Sequence, residues 1–342
     1  MDRDTQVVGQ SIAFLDAIER ASRAASLNRP VLVIGERGTG KELIAERLHR
    51  LSPRWAGPLI TMNCAALAET LIEAELFGHE AGAFTGATRA REGRFEEADG
   101  GTLFLDELAT LSAAAQERLL RAVEYGEVTR IGSNIPRRVD VRIVAATNEH
   151  LPALVDKGRF RADLLDRLAF EVVTLPPMRA RQGDVPVLAD FFGRRMAAEL
   201  EWREWPGFSD EMAAVLEAYH WPGNVRELRN TVERAVYRWE RPDVPIGEID
   251  FDPFASPWKP QSVVTAETGA VVDKSAPPPP AAPTFTGTTS FRDAVLSYER
   301  DLVADALSRH RYNQRAAAKS LSLSYDQLRH AMKRLGLAEK PS

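Results

Sequence analysis

The chain has 342 residues, 44% hydrophobic and 27% charged, which is enough for about two domains with hydrophobic cores of their own. No run approaches the roughly 18 apolar residues of a membrane-spanning helix, and the N-terminus lacks the basic and apolar regions of an export signal. The single cysteine, Cys64, excludes an internal disulfide and a cysteine-based metal site. We therefore expect a cytoplasmic protein without a membrane span.

The net charge of −5 is unevenly distributed. From Arg309 to Lys340, eight Lys or Arg residues stand against Asp326 and Glu339, so this segment carries +6 and the rest of the chain −11. A basic tail on an acidic body indicates a nucleic-acid-binding arm. On charge alone, a solvated helical face is an equally good interpretation.

The first 175 residues alternate short β-branched runs with helical patterns, which predicts an α/β fold with a parallel sheet. The predicted strands are 31–34, 59–63, 102–105, 141–145 and 170–175. Helices are predicted at 11–25, 41–51 and 113–125. The pattern then becomes mainly helical, with helices at 185–201, 210–219 and 224–237, so residues 176–251 are predicted to form a helical lid.

Residues 252–290 differ from both flanks because they are rich in proline, with four consecutive prolines at 277–280. This composition predicts a semi-extended linker. Beyond it, helices are predicted at 292–309, 314–321 and 325–335, and Ser324 with Gln327 predicts a capping box. The short helix, tight turn and final helix indicate an all-α helix-turn-helix module over 291–342. A partner-binding helical bundle is the alternative.

A glycine-rich segment follows the first predicted strand and precedes a helix, which is the context of a phosphate-binding loop. Its residues are Gly35, Glu36, Arg37, Gly38, Thr39, Gly40, Lys41 and Glu42. Glycines let backbone N–H groups surround phosphates, and Lys41 would reach the β- and γ-phosphates. Glu42 occupies the position where a Ser or Thr usually binds Mg²⁺, so that ligand stays open. A chance glycine-rich turn is the alternative.

Two acidic residues, Asp106 and Glu107, end the predicted strand at 102–105. Ligands of open α/β sheets bind at the carboxyl ends of the strands. Paired with the phosphate loop, these carboxylates indicate the ligand-binding edge of the sheet, although adjacent acids at a strand end are also found simply solvated.

Between these two motifs lies a loop of small residues that carries one aromatic side chain. It reads Gly82, Ala83, Phe84, Thr85, Gly86 and Ala87. This hexapeptide resembles the sigma-54-contacting loop of bacterial enhancer-binding proteins, a branch of the AAA+ ATPases. The resemblance covers about residues 5–250 as the sigma-54-activating AAA+ domain and 291–337 as a Fis-like helix-turn-helix module. An ordinary turn with Phe84 folded inward is the alternative. A second irregular stretch, 127–137, is expected to lie beside the loop and couple it to the nucleotide.

The resemblance implies an AAA+ P-loop NTPase that uses ATP and Mg²⁺. It implies that Asp106 holds the metal, Glu107 polarises the attacking water and Asn63 restrains Glu107. Asn148, after Thr147, would sense the γ-phosphate, and Arg226 would be the corresponding arginine of the lid. Each of these residues, taken alone, is as often structural.

Two arginines, Arg161 and Arg167, match the arginine-finger region of the family. Such a finger acts on the γ-phosphate of the neighbouring subunit, so the resemblance implies a homo-oligomer, expected to be a hexamer. The alternative is a pair of salt bridges to Asp163 and Asp166.

The last predicted helix would enter the major groove of upstream enhancer DNA. Base-contacting candidates are Tyr325, Gln327, Arg329, His330 and Lys333, and phosphate-contacting candidates are Arg315, Lys319 and Arg334. The resemblance thus implies an ATP-hydrolysing activator that remodels sigma-54 RNA polymerase. Because the ATPase block begins near residue 1, no receiver domain is expected, and control would come from a negative regulator in trans. The alternatives are an AAA+ DNA motor or loader without sigma-54 dependence, and a non-catalytic DNA-binding repressor.

Overall fold

The computed structural model describes residues 6–66, 69–254, 258, 291–310, 313–321 and 323–337. The chain divides into two compact units, residues 1–259 and 260–342. Of the predicted linker, only residues 252–254 and 258 are among those described. Within the described parts of the chain, no helix is long and apolar enough to cross a membrane.

The centre of the first unit is a five-stranded parallel sheet, as predicted. Its strands are β1 (Val31–Ile34), β2 (Leu59–Asn63), β3 (Thr102–Asp106), β6 (Arg142–Thr147) and β7 (Glu171–Thr174), in the order β2-β3-β6-β1-β7. Two short strands, β4 (Glu127–Val128) and β5 (Arg137–Arg138), form a separate antiparallel hairpin.

The sheet separates two hydrophobic cores because successive side chains of a strand point to opposite faces. Leu103 and Leu105 of β3 pack into one core, whereas Phe104 between them packs into the other. All six residues of β6 are buried, which fits its central position in the sheet.

Helices cover both faces of the sheet. They are α1 (Ile12–Ala25), α2 (Lys41–Arg50), α3 (Glu69–Phe77), α4 (Arg94–Glu97), α5 (Ala113–Tyr125), α6 (Leu151–Asp156) and α7 (Ala162–Leu168). The sequence predicted α1, α2 and α5 within one residue of their observed ends. It did not predict the shorter helices, whose four to nine residues hold too few turns for a clear 3.6-residue repeat.

The helical lid follows β7 and comprises α8 (Asp184–Glu199), α9 (Asp210–Ala218) and α10 (Asn224–Arg238). Its own core surrounds Trp221, which is 1% exposed and donates its indole N–H to Leu216 O. A buried ion pair between Arg181 and Asp184 ties the lid to the segment before α1, because Asp184 also accepts hydrogen bonds from Gln10 and Ser11.

The second unit contains α11 (Phe291–Arg309), α12 (Gln314–Ser320) and α13 (Tyr325–Arg334). Leu328, Met332 and Leu335 pack with Val303 and Leu307 in its core. The predicted capping box is present, since Ser324 and Gln327 bond reciprocally at the start of α13.

Candidate active site

The glycine-rich segment is a phosphate-loop-like turn at the carboxyl end of β1. Gly38 and Gly40 adopt φ values of +78° and +98°, which side chains rarely tolerate. A Cβ on Gly38 would also lie 2.3 Å from Gly223 O in the lid, so only glycine fits there. The backbone thus curls tightly between β1 and the N-terminus of α2, where N–H groups and the helix dipole favour an anion.

Lys41 lies inside this turn and is 8% exposed. Its Nζ donates to Gly35 O at 3.0 Å and to Glu36 O at 3.3 Å. Burial lowers the pKa of the Lys41 ammonium from its usual value, and the carboxylates of Asp106 and Glu107 partly oppose that shift. The amine is therefore held beside the turn, close to both acids.

Asp106 and Glu107 lie at the carboxyl end of β3, as predicted. Glu107 adopts φ +53°, a conformation that is uncommon for a non-glycine residue and that clusters at functional sites. With its amide oriented to suit its neighbours, Asn148 donates to Glu107 Oε2 at 2.9 Å and accepts from Arg37 Nε at 3.1 Å. Asn148 and Arg37 thus hold the Glu107 carboxylate beside the phosphate loop.

Asn63 pairs with Asp106 in the register of β2 and β3, so it lies at the same edge of the sheet. Its side-chain Oδ1 accepts a hydrogen bond from the N–H of Ala65 at 2.8 Å. Among the described residues it makes no hydrogen bond to Glu107. The contact implied by the resemblance is therefore made here by Asn148.

The lid touches the phosphate loop at the start of α10. Arg226 N–H donates to Gly38 O at 3.3 Å, and the Arg226 side chain is exposed beside the loop. Asn224 is fully buried, and its Nδ2 donates to Glu36 Oε2 at 3.1 Å and to Arg37 O at 3.0 Å. Arg179 holds the same carboxylate through two hydrogen bonds of 2.9 and 2.5 Å.

Sequence reasoning missed these lid contacts. Asn224 begins α10 after the break at Pro222 and Gly223, but its side chain turns to the phosphate loop instead of capping the helix. Glu227 instead satisfies the N–H of Gly223 at 2.7 Å. Asparagine's tolerance of positive φ was the available signal for Asn224, whereas nothing in the sequence pointed to Arg179.

The two finger candidates are exposed near α7. Arg161 pairs with Asp163 through bonds of 3.0 and 2.6 Å, as the alternative interpretation proposed. Arg167 pairs with Glu124 at 2.7 Å rather than with Asp166. Among the described residues, neither arginine pairs with a side chain of its own phosphate loop.

The Gly82–Ala87 loop is a compact turn closed by a hydrogen bond from Gly82 N–H to Ala87 O at 2.7 Å. Gly82 and Gly86 adopt φ values of +82° and +100°. Phe84 is 39% exposed, and its ring centroid lies 5.0 Å from that of His79 at the base of the loop. An aromatic side chain is therefore presented on a small-residue turn rather than folded into the core.

The β4–β5 hairpin lies beside this loop, as predicted. Glu80 N–H donates to Ile131 O at 3.0 Å, and a Cβ on Gly132 would lie 2.9 Å from Ala83 Cβ. The buried Arg130 side chain binds Glu96 bidentately at 2.7 and 2.8 Å. Ion pairs to Glu80 and Glu92, at 3.5 and 3.4 Å, complete a charged cluster between the hairpin and the loop base.

The candidate Mg²⁺ site offers one carboxylate as a protein ligand. No cluster of three or more His, Cys, Asp or Glu side chains that could hold a metal occurs among the described residues. Glu42 is exposed, and the Thr39 hydroxyl donates to Glu36 O at 2.8 Å. Asp106 is the remaining candidate protein ligand, and a single carboxylate with phosphate oxygens and water suits Mg²⁺.

The second unit presents a basic helix face. Arg329, His330 and Lys333 are exposed on α13, and Arg315 lies over the Tyr325 ring at 5.9 Å. Gln327 uses its side-chain oxygen in the cap, accepting from Ser324 N–H at 2.8 Å, and Arg334 pairs with Glu299. Arg315, in the first turn of α12, and Lys319, in its last turn, are also exposed.

Three families match successive parts of the chain. Residues 7–174 match the sigma-54 interaction domain, residues 179–252 the AAA+ ATPase lid domain, and residues 297–335 the Fis family of bacterial regulatory proteins.

Full-length relatives agree with these matches. The Psp operon transcriptional activator of Escherichia coli (strain K12) is 49% identical over 96% of this chain and 97% of its own length. The Nif-specific regulatory protein of Azotobacter vinelandii is 42% identical over 98% of this chain but 59% of its own length. The crystal structure of NtrX from Brucella abortus in complex with ATP gives a TM-score of 0.67 at 30% identity, over 97% of this chain and 70% of that one.

Proposed function

The chain belongs to the sigma-54-dependent transcriptional activators of the AAA+ ATPases, and from that membership we propose that it hydrolyses ATP to convert the closed promoter complex of sigma-54 RNA polymerase into an open one. It would bind upstream enhancer DNA through α12 and α13 and work in the cytoplasm as a ring, expected to be a hexamer. The matched family domains and the complete phosphate-loop site support this proposal.

In the proposed ATPase cycle, the phosphate-loop N–H groups and Lys41 bind the triphosphate. Glu107 accepts a hydrogen bond from the attacking water, and Asn148 and Arg37 orient its carboxylate. Mg²⁺ held by Asp106 would neutralise charge that develops on the phosphates. Arg226, held over Gly38 by its backbone, would report phosphate occupancy to the lid.

The observation that carries the proposal is the Gly82–Ala87 loop. Phe84 is presented at the surface, and the hairpin packs against the loop, so a movement of either element displaces the other. Aromatic side chains concentrate binding energy at interfaces. We propose that nucleotide state raises and retracts this loop against sigma-54.

The first test is open-complex formation on a sigma-54 promoter with the purified protein, polymerase and sigma-54. Promoter melting that requires hydrolysable ATP is the expected outcome. ATPase activity and DNA binding without melting would favour a DNA motor instead.

The loop assignment makes a separate prediction for Thr85→Ala. Thr85 is exposed on the loop and, among the described residues, has no hydrogen bond to the phosphate loop, so the variant should lose promoter melting and retain most ATPase activity. Ser133→Ala, in the neighbouring hairpin, is a matched hydroxyl control. Normal melting by Thr85→Ala would show that the loop is not the contact.

We further propose that the target is the phage shock operon and that phage shock protein A is the negative regulator in trans. The 49% identity to the Psp operon transcriptional activator supports this choice. Trp55 is 68% exposed on a loop that Arg54 anchors to Asp140 and Asn28, which makes it a candidate contact. Added regulator should inhibit the ATPase of the wild type but not that of Trp55→Ala; equal inhibition of both would remove Trp55 from the interface.

A further inference from the structure

Asn224 joins three parts of the ATPase unit with one side chain. Its two amide hydrogens are donated to the phosphate loop, at Glu36 Oε2 and Arg37 O. Its Oδ1 accepts a hydrogen bond of 2.8 Å from the N–H of Met178, at the entry to the lid. The residue itself begins α10. Each polar atom of the amide is therefore used, as burial requires.

The backbone of Asn224 adopts a conformation that is unfavourable for most residues other than glycine. Its φ is +53°, and Trp221, three residues earlier, has φ +50°. Residues other than glycine occupy this region only when surrounding contacts favour it, and asparagine tolerates it better than most. Asparagine thus combines the required backbone with two donors and one acceptor.

Glu36 is the charged partner of Asn224 in this contact. Arg179 and then Asn224, both donating to the carboxylate, lower the pKa of Glu36 to about 2. The carboxylate is therefore ionised throughout the neutral range. The Glu36 side chain contacts Arg179 and Asn224 of the lid rather than projecting toward the phosphate-binding turn.

We propose that Asn224 and Glu36 are positioning residues that clamp the lid to the phosphate loop, independently of the Arg226 side chain. The clamp fixes the first turn of α10, and thereby places Arg226 against Gly38 before nucleotide arrives. A change in the phosphate loop on nucleotide binding or release is then transmitted to the lid through the Asn224 amide. The inference concerns the proposed ATPase cycle and rests on it for its functional meaning.

The key variant is Asn224→Asp, which keeps the size of the side chain and tolerates the same backbone. It replaces the amide donors with a carboxylate that faces Glu36, so the two side chains repel. We expect ATP affinity to fall on the order of tenfold and amide hydrogen exchange of α10 to rise in the nucleotide-free protein. Asn230→Asp, on the exposed face of the same helix, is the matched control and should change neither quantity.

A double variant separates the clamp from a general loss of stability. Glu36→Gln in the Asn224→Asp background removes the repulsion and supplies an amide donor to the new carboxylate. We expect it to recover at least threefold of the lost affinity and to restore most of the exchange protection. If Asn224 had a purely structural role, or if Glu36 contacted nucleotide directly, the losses of ATP affinity from the two substitutions would add or exceed their sum. That result would overturn the proposal.

The exchange measurement needs no nucleotide, so it distinguishes the clamp from the proposed function. If the wild type does not bind ATP, the function fails while the exchange pattern still tests the clamp. If the wild type binds ATP and both Asn224→Asp and Asn224→Gly leave α10 exchange unchanged, the clamp is refuted and the function stands. Asn224→Gly adopts the backbone without strain and removes only the side-chain bonds.

Discussion

The environment of Cys64 shows how the nucleotide site changes the chemistry of a neighbouring residue. Cys64 is fully buried directly after β2, and its N–H donates to Asp106 O at 2.9 Å. Burial, reinforced by the nearby Asp106 and Glu107 carboxylates, raises the pKa of the thiol to about 12. The thiol is therefore protonated at every pH at which the protein is expected to function.

This pKa predicts slow thiol chemistry. Because the thiolate is the reactive form, and an unperturbed cysteine has a pKa near 8.5, the thiolate fraction at pH 8 should be on the order of 10³-fold lower than in the unfolded chain. We expect Ellman's reagent to label the denatured protein rapidly and the native protein at least about 100-fold more slowly. The chain has one cysteine, so the signal is unambiguous. Rapid labelling of native protein would mean that the core beside β3 is open.

For individual residues, the sequence predicted where the site lies but not the hydrogen bonds within it. The phosphate-loop and strand-end motifs placed Lys41 and Asp106, and the family resemblance placed Asn148, at one edge of the sheet, because parallel strands bring their carboxyl ends together. Which side chains bond to one another was not predictable, since Asn63, Asn148 and Arg37 all lie within reach of the site. Asn224 bonds to the loop instead of capping its helix because burial there requires partners for its amide.

The contact between the hairpin and the loop base contains a buried arginine among acids, with a second arginine, Arg137, beside it. Arg130 is buried and binds Glu96, which is 12% exposed, with Glu80 and Glu92 alongside. Burial opposes ionisation of Glu96, but the hydrogen bonds and charge of Arg130, aided by Arg137, hold the pKa of Glu96 below its usual value. The two elements therefore form one charge-compensated body.

Removing Arg130 should uncouple these elements. Arg130→Ala removes the buried cation and both of its hydrogen bonds from Glu96 and leaves Arg137 at 3.5 Å, so we expect the free energy of unfolding to fall by about 3 kcal/mol at pH 7. Arg138→Ala is the control, because that side chain is 90% exposed and pairs with Glu127 only at 3.8 Å; we expect a change below about 0.5 kcal/mol. Urea unfolding of both variants measures the difference, and similar losses would show that the cluster adds nothing specific.

The Arg130–Glu96 ion pair predicts that the free energy of unfolding depends on pH. A carboxyl group whose pKa is lowered by folding adds stability above its unfolded pKa and loses that stability as the pH falls through the folded value. The stability gap between wild type and Arg130→Ala should therefore be full at neutral pH and shrink below about pH 4.5, the ordinary value for Glu96. A gap independent of pH would assign the loss to packing rather than to charge.

At the element scale, the long helices and the strands of the sheet were predictable because their apolar residues repeat over several turns or over a continuous run. The lid helices α8 to α10 began within one residue of their predicted starts. Helix α3 was missed, since its sequence Glu69–Phe77 is apolar on more than one side. The β4–β5 hairpin was not predictable from the sequence because each of its strands has two residues, and tertiary contacts to the loop base stabilise it.

For the whole molecule, the proposed arginine finger predicts that one chain alone does not contain a complete catalytic site. Arg161 and Arg167 are exposed, with 41% and 56% of their side-chain surface open, and pair with Asp163 and Glu124. Surface pairs of this kind are weak, so either arginine is free to leave its partner for a phosphate. In a ring of identical subunits, the head-to-tail interface would bring one subunit's arginine to the next subunit's phosphate loop.

Mixing two inactive variants tests this arrangement. Lys41→Ala removes the phosphate-loop amine, and Arg161→Ala or Arg167→Ala removes a candidate finger, so each variant alone should have little ATPase activity. In an equal mixture, about a quarter of the interfaces would combine an intact Lys41 with an intact arginine, and we expect ATPase activity approaching that share of wild type.

The controls decide which arginine acts. Arg159→Ala, an exposed arginine just before α7, should be active alone and should not require mixing. The finger is the arginine whose variant is inactive alone and is rescued by Lys41→Ala subunits. Because a finger contributes roughly 10³–10⁵ in rate, the contrast between homogeneous and mixed rings should far exceed the twofold effects expected from altered surface charge. Rescue of neither variant would place the catalytic arginine, or the oligomer itself, elsewhere.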